Sequence, residues 1–307
     1  MNSMMRYLSL PWQWVKTRRL KPSVLLKIYQ LLGWDIQKSP NILRHIFNTS
    51  KADFLLADWQ EKYVVARRDL VIGRAVFCSG EFELDKFDKA RALLGQDTGQ
   101  MAFVDIGANI GTMCIPMIAR GHFARAIAIE PEPLNARLLS TNIHLNNVAD
   151  QIEVFEAALG DSAGSAKLYM STTNFGDHLL SPDGTTVENR QSVEVDVKTL
   201  DELIPLGERS NLFLWLDTQG YEGFVLKSAS AILADAPPMV LEFDPDSLGI
   251  GQAYETLCTA VLNAPYTKVY DLDEANPVAV PVTAQALDAL FQEYNRVDGF
   301  TDLLFIK

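Results

Sequence analysis

Phe103-Val104-Asp105-Ile106-Gly107-Ala108-Asn109-Ile110-Gly111 is the stretch on which the reading of this chain turns. The apolar run Ala102–Ile106 has the length and composition of a buried strand, broken only by the acid Asp105. Gly107 and Gly111 punctuate the turn that follows, and Thr112–Ala119 suits a helix. In an open α/β sheet, ligands lie beyond the carboxyl ends of the strands, so this turn is where a cofactor would rest. Glycines there permit tight backbone conformations and close approach to a ligand.

Working outward, the same rhythm repeats. Arg125–Ile129, Ile152–Ala157, Leu212–Leu216 and Pro238–Phe243 read as strands, and Leu134–Asn146 reads as a helix. Strands apolar on both faces and separated by helices predict an α/β fold, a parallel sheet with helices on both faces. Lys167–Met170 and Ser192–Val197 flank the polar stretch Ser181–Arg190 and predict an inserted β-hairpin with a long tip. Lys268–Leu272, Thr283–Tyr294 and Asp302–Ile306 predict a closing strand–helix–strand. Upstream, Tyr63–Ala66, Asp69–Ile72 and Arg74–Cys78 read as short β runs, followed by a helix over Glu83–Leu94. Two parts are therefore expected: a basic, mainly helical N-terminal extension, 1–62, and an α/β domain, 63–307.

The first turn discriminates between two nucleotide-type cofactors. A dinucleotide site needs amide donors for a pyrophosphate and usually the spacing GxGxxG. Here the spacing is GxxxG, with Asn109 in place of a middle glycine, and Asp105 at its mouth would repel phosphate. S-adenosylmethionine carries no phosphate but an ammonium and a sulfonium, both positive, so an acid favours it. The next strand ends at Ile129-Glu130-Pro131, where Glu130 is placed to accept hydrogen bonds from a ribose diol. A plainer role for Glu130 is a charge at the N-terminus of the following helix. Asn135, just inside that helix, is a cofactor contact or a surface residue. In Ala157-Ala158-Leu159-Gly160-Asp161 the small residue Ala158 leaves room for an adenine ring, although a tight turn explains the same residues.

These segments, together with Val197-Lys198-Thr199-Leu200-Asp201-Glu202-Leu203 and Leu216-Asp217-Thr218-Gln219-Gly220-Tyr221-Glu222, occur in one order. In that order they resemble the FkbM-type family of S-adenosylmethionine-dependent methyltransferases, over roughly residues 69–242. Val71-Ile72-Gly73 through Ser79-Gly80-Glu81-Phe82-Glu83 also resembles the family's lead-in. The resemblance implies a Rossmann-like sheet of seven strands and methyl transfer, usually to a hydroxyl of a sugar, polyketide or similar metabolite. It places Asp105, Gly107, Ala108, Asn109, Gly111, Glu130, Asn135 and Ala158 at the cofactor. Asp217, at the end of the fourth strand, would face the methyl group, where it positions the acceptor, helps hold a metal or assists deprotonation; otherwise it caps the helix after Gly220. Gln219 and Glu242 are placed at the acceptor, with Gln219 standing where many members carry a glutamate. No tight ligand spacing supports a metal. In Asn174-Phe175-Gly176-Asp177-His178, His178 is a candidate base on a loop overhanging the pocket, or a surface turn residue. His122 and His144 read as structural, and Cys114 as a buried helix residue.

Composition sets the outer bounds. The chain has 307 residues, 48% hydrophobic and 21% charged, enough for a sizeable core and incompatible with disorder or a coiled-coil rod. A net charge of −12 argues against non-specific nucleic-acid binding. Three dispersed cysteines, Cys78, Cys114 and Cys258, fit no disulfide framework and point to a reducing, cytoplasmic setting. Residues 1–34 hold six basic residues and no acid, leaving 21 basic against 39 acidic residues elsewhere. With Trp12, Trp14 and the helically spaced run Val24–Trp34, this segment suits an anionic membrane surface, or packing on its own domain or on a second copy. The expected partner is a small-molecule or glycan acceptor. The rival readings are an N-methyltransferase, whose motif after the fourth strand differs from Asp217-Thr218-Gln219-Gly220, and a non-catalytic membrane-surface or scaffold protein.

Overall fold

In a computed structural model the chain is described at residues 21–307, apart from 22, 25, 28–30, 32, 34, 96, 182–186, 188, 206, 208, 210, 250 and 251. Residues 1–20 and much of the Val24–Trp34 run thus lie outside the described residues; Lys21, Val24, Leu26, Lys27 and Leu31 are exposed. Among the described residues, no helix is long and apolar enough to cross a membrane.

Helix α1 (Pro40–Thr49) precedes the hairpin β1 (Phe54–Asp58) and β2 (Lys62–Ala66), then come α2 (Ile72–Ser79) and α3 (Leu84–Leu94). The α/β core runs β3 (Ala102–Ile106), α4 (Cys114–Ala119), β4 (Arg125–Ile129), α5 (Pro133–Leu145) and β5 (Ile152–Phe155). The inserted strands are β6 (Ala158–Leu159), β7 (Gly164–Met170), β8 (Leu179–Leu180) and β9 (Gln191–Lys198). The core resumes with α6 (Leu200–Leu203), β10 (Leu212–Leu216), α7 (Glu222–Lys227), α8 (Ser230–Leu233) and β11 (Met239–Phe243). It closes with α9 (Pro245–Leu248), α10 (Ala253–Asn263), β12 (Lys268–Asp271), β13 (Val280–Pro281), α11 (Ala284–Val297) and β14 (Thr301–Ile306).

The main sheet has the order β13-β12-β14-β11-β10-β3-β4-β5. Strands β5, β4, β3, β10 and β11 are parallel, and β14 is antiparallel to β11 and β12. Seven strands were expected; the eighth, β13, is a two-residue strand at one edge. The order reverses between β3 and β10, so the two strand ends that carry Asp105 and Asp217 lie side by side. That junction is where a ligand crevice opens in this class of sheet.

Each face of the sheet buries its own core. On one face Phe103, Phe213 and Trp215 meet Phe87 and Phe123, and Phe103 stacks on Phe213 at 5.8 Å between ring centroids. On the other, Val104, Ile106, Leu214, Leu216, Leu241 and Phe305 are fully enclosed. Alternation along β3 therefore sends Val104 and Ile106 to one layer and Phe103 and Asp105 to the other.

Two expected strands upstream of the core need correction. The Asp69–Ile72 and Arg74–Cys78 runs do not pair as strands; Ile72–Ser79 is the helix α2. Asp69 decides this, since its carboxylate accepts from the amides of Val71 (3.1 Å) and Gly73 (2.7 Å) and so satisfies donors at the helix start. The mainly helical extension contains the strand β1, which pairs antiparallel with β2 from Phe54 opposite Ala66 to Asp58 opposite Lys62. The inserted hairpin does form, β7 on β9, as part of a four-stranded sheet with β6 and β8.

Candidate functional site

A cavity enclosing about 910 Å³ of empty space, its open mouth included, lies over the carboxyl ends of β3, β4 and β10. Asp105, Gly107, Ala108, Asn109, Glu130 and Ala158 line one part of it; His178, Asp217 and Gln219 line another. Of the residues expected at the site, Gly111, Asn135 and Glu242 are absent from the lining.

Gly107 sets the shape of the first turn. Its φ is +87°, and a Cβ there would stand 1.8 Å from the carbonyl oxygen of Asp217. Only glycine allows the first turn and the end of β10 to meet this closely. Gly111, at φ +90°, instead packs beneath the turn against Ile115 and Leu139.

The amides of the turn are all used within the protein. Gly107 and Ala108 both donate to the Ile129 carbonyl at 3.0 Å, and Gly111 donates to the Ala108 carbonyl at 2.8 Å. The Asn109 amide donates to Glu130 Oε2 at 2.9 Å and the Ile110 amide to Asn109 Oδ1 at 2.8 Å. A pyrophosphate needs such donors free. None of the five is.

What the turn offers instead is acid. Asp105 is buried and accepts from the Cys114 amide at 3.0 Å; burial raises its pKa to about 6. Glu130, also buried, accepts from the amides of Asn109 and Glu132 (2.8 Å), one on each oxygen, and burial raises its pKa to about 8. Glu130 lines the cavity, where an ionised carboxylate can accept further hydrogen bonds of the kind a diol donates. Glu130 caps no helix: that task falls to Glu132, whose carboxylate accepts from the Asn135 amide.

At the far side, the Gln219 side chain donates through Nε2 to Asp217 Oδ1 and to Glu242 Oε2, both at 2.8 Å. Glu242 therefore reaches the cavity wall through Gln219 and through a hydrogen bond to Asp217. Burial, reinforced by Glu222 and Glu83, raises Asp217 to about 7, and burial together with Asp217 raises Glu242 well above the usual carboxylate range. Asp217 does not cap the helix after Gly220; Glu222 accepts there from the amides of Thr218 (2.8 Å) and Gly220 (3.4 Å). The Gln219 NH2 group, one N–H to each acid, sits where a bridging cation would have to compete.

His178 lines the cavity. Its Nδ1 accepts from the Ser171 amide at 3.0 Å, and burial lowers its pKa to about 4. The neutral ring then carries its proton on Nε2, so it presents a donor rather than a lone pair. Asn135 is fully buried and not a surface residue: its Nδ2 donates to the Phe175 carbonyl at 3.0 Å, and its side chain also hydrogen-bonds Glu130.

Sequence reasoning missed Ile72, Phe82, Glu83 and Phe175, which line the cavity from outside the strand ends. Glu83 carries a positive φ of 56° and approaches Lys86 at 3.4 Å. Lys86 in turn pairs with Asp302, the register partner of Glu242. Asp69-Leu70-Val71-Ile72 offered a signal only as a helix cap, which its β-branched composition concealed.

Comparison with known proteins bears on these residues. Residues 105–255 match the family model described as the methyltransferase FkbM domain. This segment is an FkbM methyltransferase domain. It contains β3 to the start of α10, and with them both acids of the turn, the inserted hairpin and the Asp217–Gln219–Glu242 group. Methyltransferase sdnD of Sordaria araneosa is 32% identical over 80 residues, 26% of this chain and 31% of that protein. The crystal structure of methyltransferase FkbM from Methylobacillus flagellatus aligns with a TM-score of 0.46 at 17% identity, over 76% of this chain and 52% of the other. Geranyl diphosphate C-methyltransferase from Streptomyces coelicolor, solved with S-adenosyl-L-homocysteine, aligns with a TM-score of 0.38 at 11% identity, over 71% of this chain and 74% of that one. The chain thus spans about half of the FkbM structure and less than a third of the curated relative. The cavity also draws on Ile72, Phe82 and Glu83, which precede the FkbM domain.

Proposed function

We propose that this chain is an S-adenosylmethionine-dependent methyltransferase that methylates a hydroxyl of a sugar, polysaccharide or other hydroxylated natural product. The observation that carries the cofactor reading is the pairing of two buried acids, Asp105 and Glu130, with a turn whose amides are all committed elsewhere. That donor set suits a cationic, phosphate-free nucleoside and suits a dinucleotide poorly. Glu130 would hold the ribose diol, and Asp105 would face the positive end of the cofactor. Ala158, buried in β6 and lining the cavity, leaves space for the base. When bound, the cofactor supplies a methyl group on positively charged sulfur.

The chain's own work is then alignment and proton handling. Asp217, held near neutrality by burial, is suited to take the proton of an alcohol as its oxygen becomes the nucleophile. Gln219 steadies that carboxylate, and Glu242 behind it retains a proton, so the pair need not carry two charges. His178 offers Nε2–H to an acceptor oxygen and helps orient it. The unpaired thiols Cys78, Cys114 and Cys258 accord with a reducing, cytoplasmic setting. Residues 1–34 are proposed as the self-association or membrane-contact segment.

Calorimetry with S-adenosylmethionine tests the reading. Wild type should bind, and Glu130→Ala should lose two charge-assisted hydrogen bonds of ~1.5–3 kcal/mol each, a weakening of about 100-fold or more. No heat with folded wild type, or an unchanged constant in the variant, overturns it.

A further inference from the structure

Asn135 presents a puzzle that the cofactor reading does not solve. It is fully buried, yet its Oδ1 has no hydrogen-bond partner. A buried polar atom without a partner is a cost, and a fold that retains it usually has a use for the group. The use visible here is the other end of the amide: Nδ2 donates to the carbonyl of Phe175 at 3.0 Å.

Asn109 grips the same carbonyl. Its Nδ2 donates to Phe175 O at 2.8 Å, while its Oδ1 accepts from the Ile110 amide and its own amide donates to Glu130. From the opposite side, the Phe175 amide donates to Asp69 Oδ1 at 3.4 Å, and the other oxygen of that buried carboxylate accepts from Gly73. Three separate elements therefore converge on the backbone of one residue, Phe175: the glycine turn, α5 and the entrance to α2. The segment they hold is tightly placed, since a Cβ on Gly176 would lie 2.6 Å from Ile72 Cδ1. Phe175, Gly176 and His178 from this segment line the cavity opposite the glycine turn.

We propose that Asn109 and Asn135 are positioning residues: they clamp the Phe175 carbonyl, fix Ser171–His178 as the acceptor-side wall, and tie that wall to the cofactor turn through the Glu130–Asn109 hydrogen bond. The clamp follows from the geometry alone; its coupling to ligand rests on the proposed cofactor reading. Filling the cofactor half then stiffens the acceptor half, which gives an order of binding, cofactor first. A segment held by few contacts exchanges its amides by local opening, so the clamp can be read directly.

The test is amide hydrogen exchange by mass spectrometry on the full chain, with and without S-adenosylhomocysteine. Asn109→Gly keeps the positive φ and removes the side chain; Asn135→Ala removes the second donor. Each should speed exchange in peptides spanning 171–178 by about tenfold or more while the β3 and β10 peptides stay protected. In wild type, bound S-adenosylhomocysteine should slow exchange at 171–178, and Asn109→Gly should abolish that slowing. Asn135→Ala also removes a hydrogen bond to Glu130, so its ligand-free exchange, and not its affinity, reads the clamp. The clamp is overturned by unchanged exchange at 171–178 in both variants, by a rise spread evenly over the core, or by a wild-type wall indifferent to bound ligand. A wild type that binds no S-adenosylhomocysteine sinks the cofactor reading instead, and the ligand-free exchange of the variants still decides the clamp. Should Asn135→Ala not fold, Asn109→Gly decides it alone.

Discussion

Affinity for S-adenosylhomocysteine is expected to rise with pH, and Glu130 sets the size of the rise. Burial holds its carboxyl at about 8, whereas a ribose diol needs both oxygens as acceptors. A group with that value is ionised in about one molecule in a hundred at pH 6 and in about half at pH 8. If only the ionised form binds, the dissociation constant falls by about 50-fold across this range, equivalent to ~2.3 kcal/mol. Asp105, held at about 6, adds no more than about twofold near the lower end. Calorimetry at pH 6, 7 and 8 and constant ionic strength measures the effect. Glu130→Gln keeps the volume but replaces one acceptor oxygen with a donor that opposes the amide of Asn109 or Glu132. Its affinity should be weak and nearly independent of pH. A flat wild-type profile, or tighter binding at pH 6, refutes the assignment of Glu130 to the diol.

Other outcomes follow from the same geometry. Gly107→Ala forces a side chain into a left-handed conformation and against the Asp217 carbonyl; strain of ~1–2 kcal/mol and crowding of ~1–3 kcal/mol should lower stability by ~2–5 kcal/mol. Urea denaturation with an unchanged midpoint would contradict it. The ligand-free protein should lose stability as pH rises from 5 to 8. Asp105, Asp217 and Glu130 have raised folded values, so the folded chain binds protons that the unfolded chain has already released. Urea midpoints that climb over this range would reverse the sign and the explanation with it. Gln219→Glu exchanges the bridging donor for a third acid between Asp217 and Glu242, which should cost ~3–5 kcal/mol at pH 8 and clearly less at pH 5; equal losses at both would mean that the charges are not what matters.

The parts of this protein legible in its sequence are those where burial acts on whole runs. β3, β4, β10 and β11 are apolar on both faces, and no other element type accommodates such runs at that length, so the parallel sheet could be read directly. The strand-end acids Asp105, Glu130 and Asp217 were legible for the same reason: a carboxylate that ends a buried run has little purely structural justification. Where the reading failed, one side chain overrode the composition around it. Asp69 turns a β-branched run into α2 by accepting from the amides of Val71 and Gly73, two and four residues on. Asn135 and His178 were opaque for another reason. Their hydrogen bonds to Phe175 O and from Ser171 N join residues 40 and seven positions apart. Spacing in the chain does not encode which nitrogen of a ring is occupied.

A crystal structure of the chain with S-adenosylhomocysteine tests the cofactor assignment most directly. The expected result has both ribose hydroxyls within hydrogen-bonding distance of Glu130, the amino group on the Asp105 side, and the amides of residues 107–111 still bonded to their partners within the protein. Ligand bound away from the ends of β3 and β4, or a phosphate-bearing nucleotide seated on those five amides, would contradict it.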